Sequence, residues 1–260
     1  MKITRFTLAT VLLCTILFGA SHYVHAAQRD LDDLHFLDKN WAPALLKILD
    51  DGPVLMSRQE EFEVEKPPKN SSKTTSEEIA YLHKIADTER DEETVERILY
   101  EDSGVDAHDM FVKEGLIVEE NYKTLLLMEI INNDNMYFIL ERKRHFSRPR
   151  PSEVDDSLET VIANPPHAAY PSGHATQTYI NALVLADFDP DNADVYKQFA
   201  IDVAHRREIA GVHYPSDSVA GRKLAADVLA RLRDIPIFEK KYQAAKLSYI
   251  KPTLKRKTKK

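Results

Sequence analysis

The sequence is poor in cysteine, in glycine and in long apolar runs. Of its 260 residues, one is cysteine and seven are glycine. The cysteine, Cys14, lies in an apolar stretch near the N-terminus, so the chain beyond that stretch has no thiol chemistry and no disulfide. Its stability must therefore come from packing, and a glycine-poor chain rich in leucine, alanine, glutamate and lysine favours helix.

The first 26 residues have the order of a secretory signal peptide. Lys2 and Arg5 precede the apolar residues 6–20, and residues 24–26 form a small-residue cleavage pattern. The apolar run is short for a transmembrane helix, although an uncleaved anchor is the alternative interpretation. No other apolar run approaches the length of a membrane span. We therefore expect a periplasmic or secreted protein with no stable membrane span after signal removal.

Charge excludes one class of partner. The formal net charge of −7 falls to −9 when Lys2 and Arg5 leave with the signal. An acidic chain of this kind argues against nucleic acid as a partner. Residues 249–260 are strongly basic and are predicted to form a solvated, disordered tail, with attraction to an anionic surface as the alternative.

The patterns along the chain predict one helical domain behind an N-terminal extension. Residues 27–75 combine short apolar clusters with a proline-containing linker and are expected to wrap the domain. The domain spans residues 76–248, and a capping box of Thr75 and Glu78 is predicted to open its first helix. Strand patterns are scarce, so the predicted fold class is all-α, a bundle of about eight to ten helices.

Further helices are predicted from apolar spacing at residues 92–100, 122–144, 175–186, 193–209, 217–232 and 237–247. The segment 122–144 is apolar around nearly its whole circumference. A helix of that composition is predicted to be buried on all sides.

Three short segments at helix ends carry groups that suit an oxyanion. In the first, Lys143 and Arg150 belong to a cationic stretch that follows the apolar helix and ends in prolines. Taken alone, this stretch is more typical of cations that complement a helix C-terminus. The second segment, Pro171 to His174, stands before an apolar helix, where free backbone N–H groups bind anions and Gly173 permits close approach. It is equally consistent with Ser172 as an ordinary N-cap and His174 as an ordinary helical residue.

The third segment runs from Arg207 to Asp217. Gly211 is predicted to end the preceding helix in a left-handed conformation. His213 follows in a short loop, and Asp217 opens the next helix, where its carboxylate could reach a ring nitrogen of His213. Such a pair fixes the tautomer and leaves the second nitrogen as a nucleophile or base. The alternative makes Asp217 an N-cap and His213 a plain loop residue.

Together the segments supply two histidines, three cations, a carboxylate and backbone N–H donors, which are the groups that phosphoryl transfer requires. Their spacing resembles the motifs of the type-2 phosphatidic acid phosphatase superfamily, which includes soluble class A bacterial acid phosphatases and vanadium haloperoxidases. The matching residues are Lys143, Arg150-Pro151, Pro171-Ser172-Gly173-His174, Arg207, His213 and Asp217. One position departs, because Arg206 stands where the family has serine. This arginine either adds a cation or points to solvent.

The resemblance implies a helical bundle of the acid phosphatase/vanadium haloperoxidase type and an acid phosphatase acting on phosphate monoesters. It implies that His213 attacks phosphorus, that Asp217 orients His213, and that His174 acts as general acid and base. The phosphate would be held by Lys143, Arg150, Ser172, Gly173 and Arg207. No metal or other cofactor is implied, the expected partners are small phosphorylated substrates, and association into a homo-oligomer stays open.

Two other functions are carried as alternatives: a vanadate-dependent haloperoxidase on the same scaffold and a non-catalytic anion-binding protein. Because His213 must be neutral and His174 protonated, a phosphatase is expected to show a bell-shaped pH dependence on the acid side. Two nearby residues are set aside. Arg148 precedes a proline but lies two positions short of the motif spacing, and His167 is expected in a surface loop.

Overall fold

The computed structural model describes residues 30–254; the predicted signal peptide and residues 255–260 lie outside this range. Within it the chain forms helices and no strand, which confirms the predicted all-α class. The helices are α1 (Pro43–Asp51), α2 (Lys73–Glu89), α3 (Glu92–Glu101), α4 (Ala107–Lys113), α5 (Tyr122–Phe146), α6 (Pro151–Val154), α7 (Gly173–Phe188), α8 (Ala193–Ile209), α9 (Pro215–Arg233) and α10 (Pro236–Leu247). None of the helices in residues 30–254 combines the length and apolarity needed to cross a bilayer.

Helix α7 is the centre of the bundle and packs against α5, α8 and α9. Small and apolar residues are buried along it, so neighbouring helices can approach from several sides. Helix α9 approaches α7 closely at Gly221, which faces the start of α7. A Cβ atom at Gly221 would lie 2.8 Å from the carbonyl oxygen of Ser172. This glycine therefore allows the first turns of α7 and α9 to lie side by side.

Helix α5 is buried over its second half but not on all sides. Residues 137–140 are almost fully buried, whereas Leu126 is 52% exposed. Leu126 shares the outward face of the helix with Lys123 and Glu129, which keeps this face in solvent. The prediction of burial around the whole circumference is therefore wrong, because it counted apolar residues without the polar residues that share their face, such as the exposed Arg144 in the second half.

Helix α2 begins at Lys73, before the predicted capping box. The N-cap is Ser72, whose hydroxyl oxygen accepts the Thr75 N–H at 3.2 Å, while the Thr75 hydroxyl donates to the Lys69 carbonyl at 2.8 Å. The predicted cap at Thr75 is wrong because an earlier serine follows a turn closed by Lys69. The predicted domain boundary between residues 75 and 76 consequently falls inside this helix.

Part of the segment 30–72 is fixed to α5 by hydrogen bonds from its backbone N–H groups, whereas Glu60 and Glu63 contact α9. Asp134, fully buried in the middle of α5, accepts the backbone N–H groups of Val54, Leu55 and Met56. At the end of α5, the Phe36 N–H donates to the Ser147 carbonyl at 2.8 Å. A buried carboxylate needs such donors, so this acid fixes the course of the segment.

The first part of the predicted basic tail packs against the bundle. The Asn121 side chain donates to the Ile250 carbonyl at 2.8 Å and accepts the Ile250 N–H at 2.7 Å. Lys251 lies 2.8 Å from the carboxylates of both Asp189 and Asp191. The prediction of disorder is therefore wrong for residues 249–254, because acidic residues around 189–191 attract the basic segment; residues 255–260 lie outside the described range.

Candidate active site

The three motif segments meet at one end of the bundle. Lys143 lies in the last turn of α5, Arg207 lies in the last turn of α8, and Asp217 lies in the first turn of α9. The second motif begins α7, and its Ser172 N–H donates to the Asp217 carbonyl at 3.0 Å. Gly211 has a φ of 78° just after α8, as predicted, and turns the chain into the loop that carries His213. The helix ends that hold the motifs therefore converge as the spacing predicts.

His213 is held by both of its ring nitrogens. Its Nδ1 lies 2.9 Å from Asp217 Oδ2, and its Nε2 lies 3.0 Å from Arg150 Nη1. A guanidinium group can only donate, so Nε2 is the acceptor and Nδ1 carries the proton that Asp217 accepts. Burial, followed by the charges of Arg150 and Lys143, holds the pKa of His213 well below its usual value. The imidazole is consequently neutral, with its lone pair on Nε2.

Three buried cations surround this imidazole. Lys143 donates to the carbonyl oxygens of Ala168 at 2.8 Å and Ala169 at 2.9 Å, and burial and the charge of Arg150 hold its pKa well below its usual value. Burial lowers the pKa of Arg150 to about 10. Like charges buried together are costly unless an anion compensates them. The cluster therefore favours a ligand of negative charge.

Several donors of this cluster are unsatisfied. Arg150 Nε and Arg207 Nε and Nη1 are buried and have no hydrogen-bond partner among residues 30–254. Both arginine side chains are almost fully buried, so their unpaired N–H groups lose water as well. A buried donor without a partner costs roughly 1–3 kcal/mol, which an oxyanion with several acceptor oxygens would recover. The unpaired donors therefore favour an oxyanion as the ligand of this cluster.

The start of α7 supplies further donors. Ser172 is the N-cap, and its hydroxyl oxygen lies 3.4 Å from the Ala175 N–H that it accepts. Because the oxygen acts as acceptor there, its own proton stays available to an anion. Gly173 is the first residue of the helix, and a Cβ atom at this position would lie 4.0 Å from Lys143 Cε. The N-cap alternative for Ser172 therefore holds, and it is compatible with anion binding at the same helix end.

His174 faces a different part of the protein. Its Nε2 lies 3.1 Å from the backbone carbonyl oxygen of Glu101, at the end of α3. A carbonyl can only accept, so Nε2 carries a proton. Burial and the charge of Arg207 lower the pKa of His174 to about 3. The ring is therefore neutral in this state of the protein.

The end of α3 covers the site with two carboxylates. Asp102 Oδ1 accepts a hydrogen bond from Arg207 Nη2 at 2.8 Å, and Glu101 Oε1 accepts one from Arg206 Nε at 2.8 Å. The donors of Lys143, Arg150, Arg207, Ser172 and Gly173 are called the cradle below. Arg206, the residue that departs from the family pattern, consequently points neither to the cradle nor to open solvent. It anchors Glu101 instead. Sequence patterns gave no sign of Glu101 or Asp102, because both lie far from the motifs in the chain.

Two residues that the sequence analysis set aside belong to the site. His167 was expected in a surface loop, but its Nδ1 lies 3.0 Å from Arg150 Nη2, so that expectation is wrong. Arg148 is buried and donates to Asp217 Oδ1 at 2.7 Å. Arg148 Nη1 contacts Oδ1 of Asp217, whereas Arg150 Nη1 contacts Nε2 of His213, so the two arginines meet opposite ends of the Asp217–His213 pair. A rule based on motif spacing selects only Arg150.

Comparison with known proteins agrees with this architecture. The sequence model of the PAP2 superfamily matches residues 122–233, which run from the start of α5 to the end of α9. The resemblance to the type-2 phosphatidic acid phosphatase superfamily is thereby confirmed for this part of the chain.

Two bacterial relatives share part of the sequence. A non-specific acid phosphatase of Providencia stuartii is 35% identical over 85 residues, 33% of this chain and 34% of that protein. A non-specific acid phosphatase of Salmonella typhimurium is 30% identical over 121 residues, 44% of this chain and 48% of that protein. The chain thus spans a third to a half of the length of these curated relatives.

Among solved structures, a bacterial vanadium-dependent iodoperoxidase superposes with a TM-score of 0.54 at 18% identity. The superposition covers 76% of this chain and 56% of the iodoperoxidase. Together with the helical architecture, this likeness shows a fold of the acid phosphatase/vanadium haloperoxidase type.

Proposed function

We propose that this chain is a phosphatase that hydrolyses phosphate monoesters through a phosphohistidine on Nε2 of His213. The observation that carries the proposal is the set of unpaired guanidinium N–H groups on Arg150 and Arg207 beside a neutral imidazole whose lone pair is on Nε2. The sequence likeness to non-specific acid phosphatases supports the same reaction. The substrate class is that of small phosphate monoesters.

Substrate binding replaces contacts that the protein makes with itself. The phosphate takes the Nη2 donor of Arg207 from Asp102 and the Nη1 donor of Arg150 from His213 Nε2. Lys143, the Ser172 hydroxyl and the Gly173 N–H complete the set of donors around its oxygens. These exchanges cost little, because each cation passes from one acceptor to another.

The first chemical step forms the phosphohistidine. The lone pair on His213 Nε2 attacks phosphorus, the bond from phosphorus to the leaving oxygen breaks, and protonated His174 gives its proton to that oxygen. Asp217 keeps the Nδ1 proton of His213 and stabilises the positive charge that develops on the ring. In the second step, water attacks phosphorus while His174 takes its proton. The bond to Nε2 then breaks, and phosphate leaves.

The site of action is proposed from the chain's first residues. The signal-like order of residues 1–26 would carry the protein to the periplasm or out of the cell. A phosphatase there would meet small phosphate esters outside the cytoplasm.

The direct test is turnover by the purified mature protein after treatment with a chelator. The panel contains p-nitrophenyl phosphate, nucleotides, sugar phosphates, lipid phosphates and diphosphates. We expect phosphate release from monoesters and an acid-labile label on histidine after rapid quenching with a ³²P substrate. His213→Ala should lower turnover by about three orders of magnitude or more, because it removes the nucleophile.

His205→Ala is the matched control, since His205 lies on α8 outside the cradle and pairs with Glu89 and Glu208. Near-normal turnover in His213→Ala would refute the phosphohistidine. Phosphate binding without any turnover would instead identify an anion-binding protein. Halide oxidation by peroxide that depends on added vanadate would identify a haloperoxidase.

A further inference from the structure

We infer that Arg148 is a positioning residue, which holds the Asp217 carboxylate in the orientation that prepares His213 for attack. This inference rests on the proposed function, because it concerns the nucleophile of the same reaction. Arg148 falls outside the motif spacing that identifies the cations of the cradle.

The two oxygens of Asp217 have separate tasks. Oδ2 accepts the Nδ1 proton of His213 at 2.9 Å and the Tyr214 N–H at 3.1 Å, while Oδ1 accepts a hydrogen bond from Arg148 Nη1 at 2.7 Å. The carboxylate is fully buried. Because it lies between the arginine and the imidazole, its rotation is fixed from one side by Arg148 and from the other by the loop backbone. A carboxylate fixed in this way presents Oδ2 to Nδ1.

Arg148 is itself immobilised. Its Nη2 donates to Glu78 Oε2 at 3.1 Å, and its guanidinium carbon lies 3.7 Å from the centre of the Tyr214 ring. Glu78 in turn accepts the Ser216 N–H at 2.6 Å, next to Asp217. The guanidinium therefore bridges two carboxylates from α2 and α9, and its planar fork can satisfy both. Both terminal nitrogens are occupied by these acids, and Nη1 also donates to the Ser216 hydroxyl at 2.8 Å; the buried Nε has no partner among residues 30–254.

The chemical consequence concerns the charge on the imidazole. Phosphorylation of Nε2 makes the ring cationic, and the anionic Asp217 stabilises that charge only while it stays ionised and aligned with Nδ1. Misplacement of a reacting group by about 1 Å can cost roughly 100-fold in rate. We therefore assign to Arg148 an effect on the rate of His213 phosphorylation and none on the affinity for the anion.

The test compares Arg148→Lys with wild type. Lysine keeps the charge but cannot bridge two carboxylates with a planar fork. We expect the phosphorylation rate, measured by rapid quench with p-nitrophenyl phosphate, to fall about 10- to 100-fold. The inhibition constant of vanadate, used as the probe of anion binding, should stay within about threefold, since Arg148 does not contact the anion. Arg144→Lys, at an exposed arginine of the same segment, is the control and should change neither quantity.

A double-substitution cycle separates positioning from a merely structural role. If Arg148 acts through Asp217, Arg148→Lys should slow Asp217→Asn by less than about twofold, because the group it positions is already lost. The low-field NMR signal of the His213 Nδ1 proton should broaden or shift in Arg148→Lys at unchanged melting temperature. Three outcomes would each overturn the inference. The losses of rate could multiply in the double variant, the phosphorylation rate could be unchanged in Arg148→Lys, or the vanadate affinity could fall as much as the rate.

A second variant and the NMR measurement keep the inference testable if the first variant does not fold or the wild-type protein is inactive. Arg148→Met combined with Glu78→Gln removes the cation together with one of its acids, and it serves if an isolated acid pair prevents folding. It should show the same loss of rate. An inactive wild-type protein would refute the proposed phosphatase, whereas the NMR signal of His213 would still report whether Arg148 orders the Asp217–His213 pair.

Discussion

The two histidines of the site have contrasting surroundings, although the same three cations lower the pKa of both. His213 has a partner on each ring nitrogen, and both partners come from the motif segments. His174 has its contact with a backbone carbonyl of α3, which lies outside the region that matches the superfamily. Under the roles proposed above, the Asp217–His213 pair stays in place when substrate binds, whereas the contacts of Arg150 with His213 and of Arg207 with Asp102 are replaced.

The surroundings of His174 determine how this histidine acquires the proton that it must donate. His174 has a pKa of about 3 in this state and must be protonated to assist departure. A phosphate monoester that binds as the monoanion brings the proton with it, and the charge that remains on the phosphate favours the imidazolium. On this proposal, substrate binding both orders the surroundings of His174 and supplies the proton that His174 donates.

The largest expected effect removes the acid on the leaving-group side. His174→Gln should lower kcat/KM by roughly 10²–10⁴ for an alkyl phosphate such as a sugar phosphate, because general acid catalysis contributes about this much. The loss for p-nitrophenyl phosphate should be much smaller, since its phenolate departs without a proton. Steady-state kinetics on both substrates measure the ratio. Equal losses for the two substrates would contradict the assignment of His174 and remove the contrast between the histidines.

The pH profile tests the origin of the proton. Burial keeps the pKa of His213 well below its usual value, so the nucleophile stays neutral from mildly acid to alkaline pH. We expect kcat/KM to fall about tenfold per pH unit above the second pKa of the substrate phosphate, near 6, because the monoanion becomes scarce. The alkaline limb of the predicted bell should therefore move with the pKa of the substrate. A limb at one fixed pH across substrates of different pKa would assign it to the protein instead.

The smallest expected effect concerns Asp102, at the end of α3 that covers the site. Asp102→Asn removes a half-exposed carboxylate that competes with the anion for Arg207, so inorganic phosphate should inhibit more strongly, by up to about fivefold. That factor corresponds to the roughly 1 kcal/mol that such an exposed ion pair contributes at most. Asp109→Asn, at an exposed acid on α4, is the control. Weaker inhibition in Asp102→Asn would show that this aspartate helps to hold the anion.

Sequence patterns predicted much of the bundle and of the nucleophile side. Apolar spacing located α8 at its observed bounds and the neighbouring helices within a few residues. The motif spacing brought together His213 and Asp217, because a histidine four residues before an aspartate at a helix start can reach it locally. Such local geometry is readable from a sequence.

The residues that escaped prediction depend on contacts between distant segments. Glu101 and Asp102 reach the site only because α3 packs beside α8, and Arg148 acquires its role from Glu78 on α2. His167 resembled any polar loop residue until its contact with Arg150 was seen. No local pattern records such pairings, since each is fixed by the packing of whole helices.

Gly221 sets a limit on how the catalytic centre can change. Its missing side chain lets the backbone of α9, which follows the His213 loop, approach the carbonyl of Ser172 at the start of α7, which carries His174. An alanine at this position would act as a wedge between them. The spacing between α7, which carries His174, and α9, which follows the His213 loop, therefore depends on the absence of a side chain at position 221.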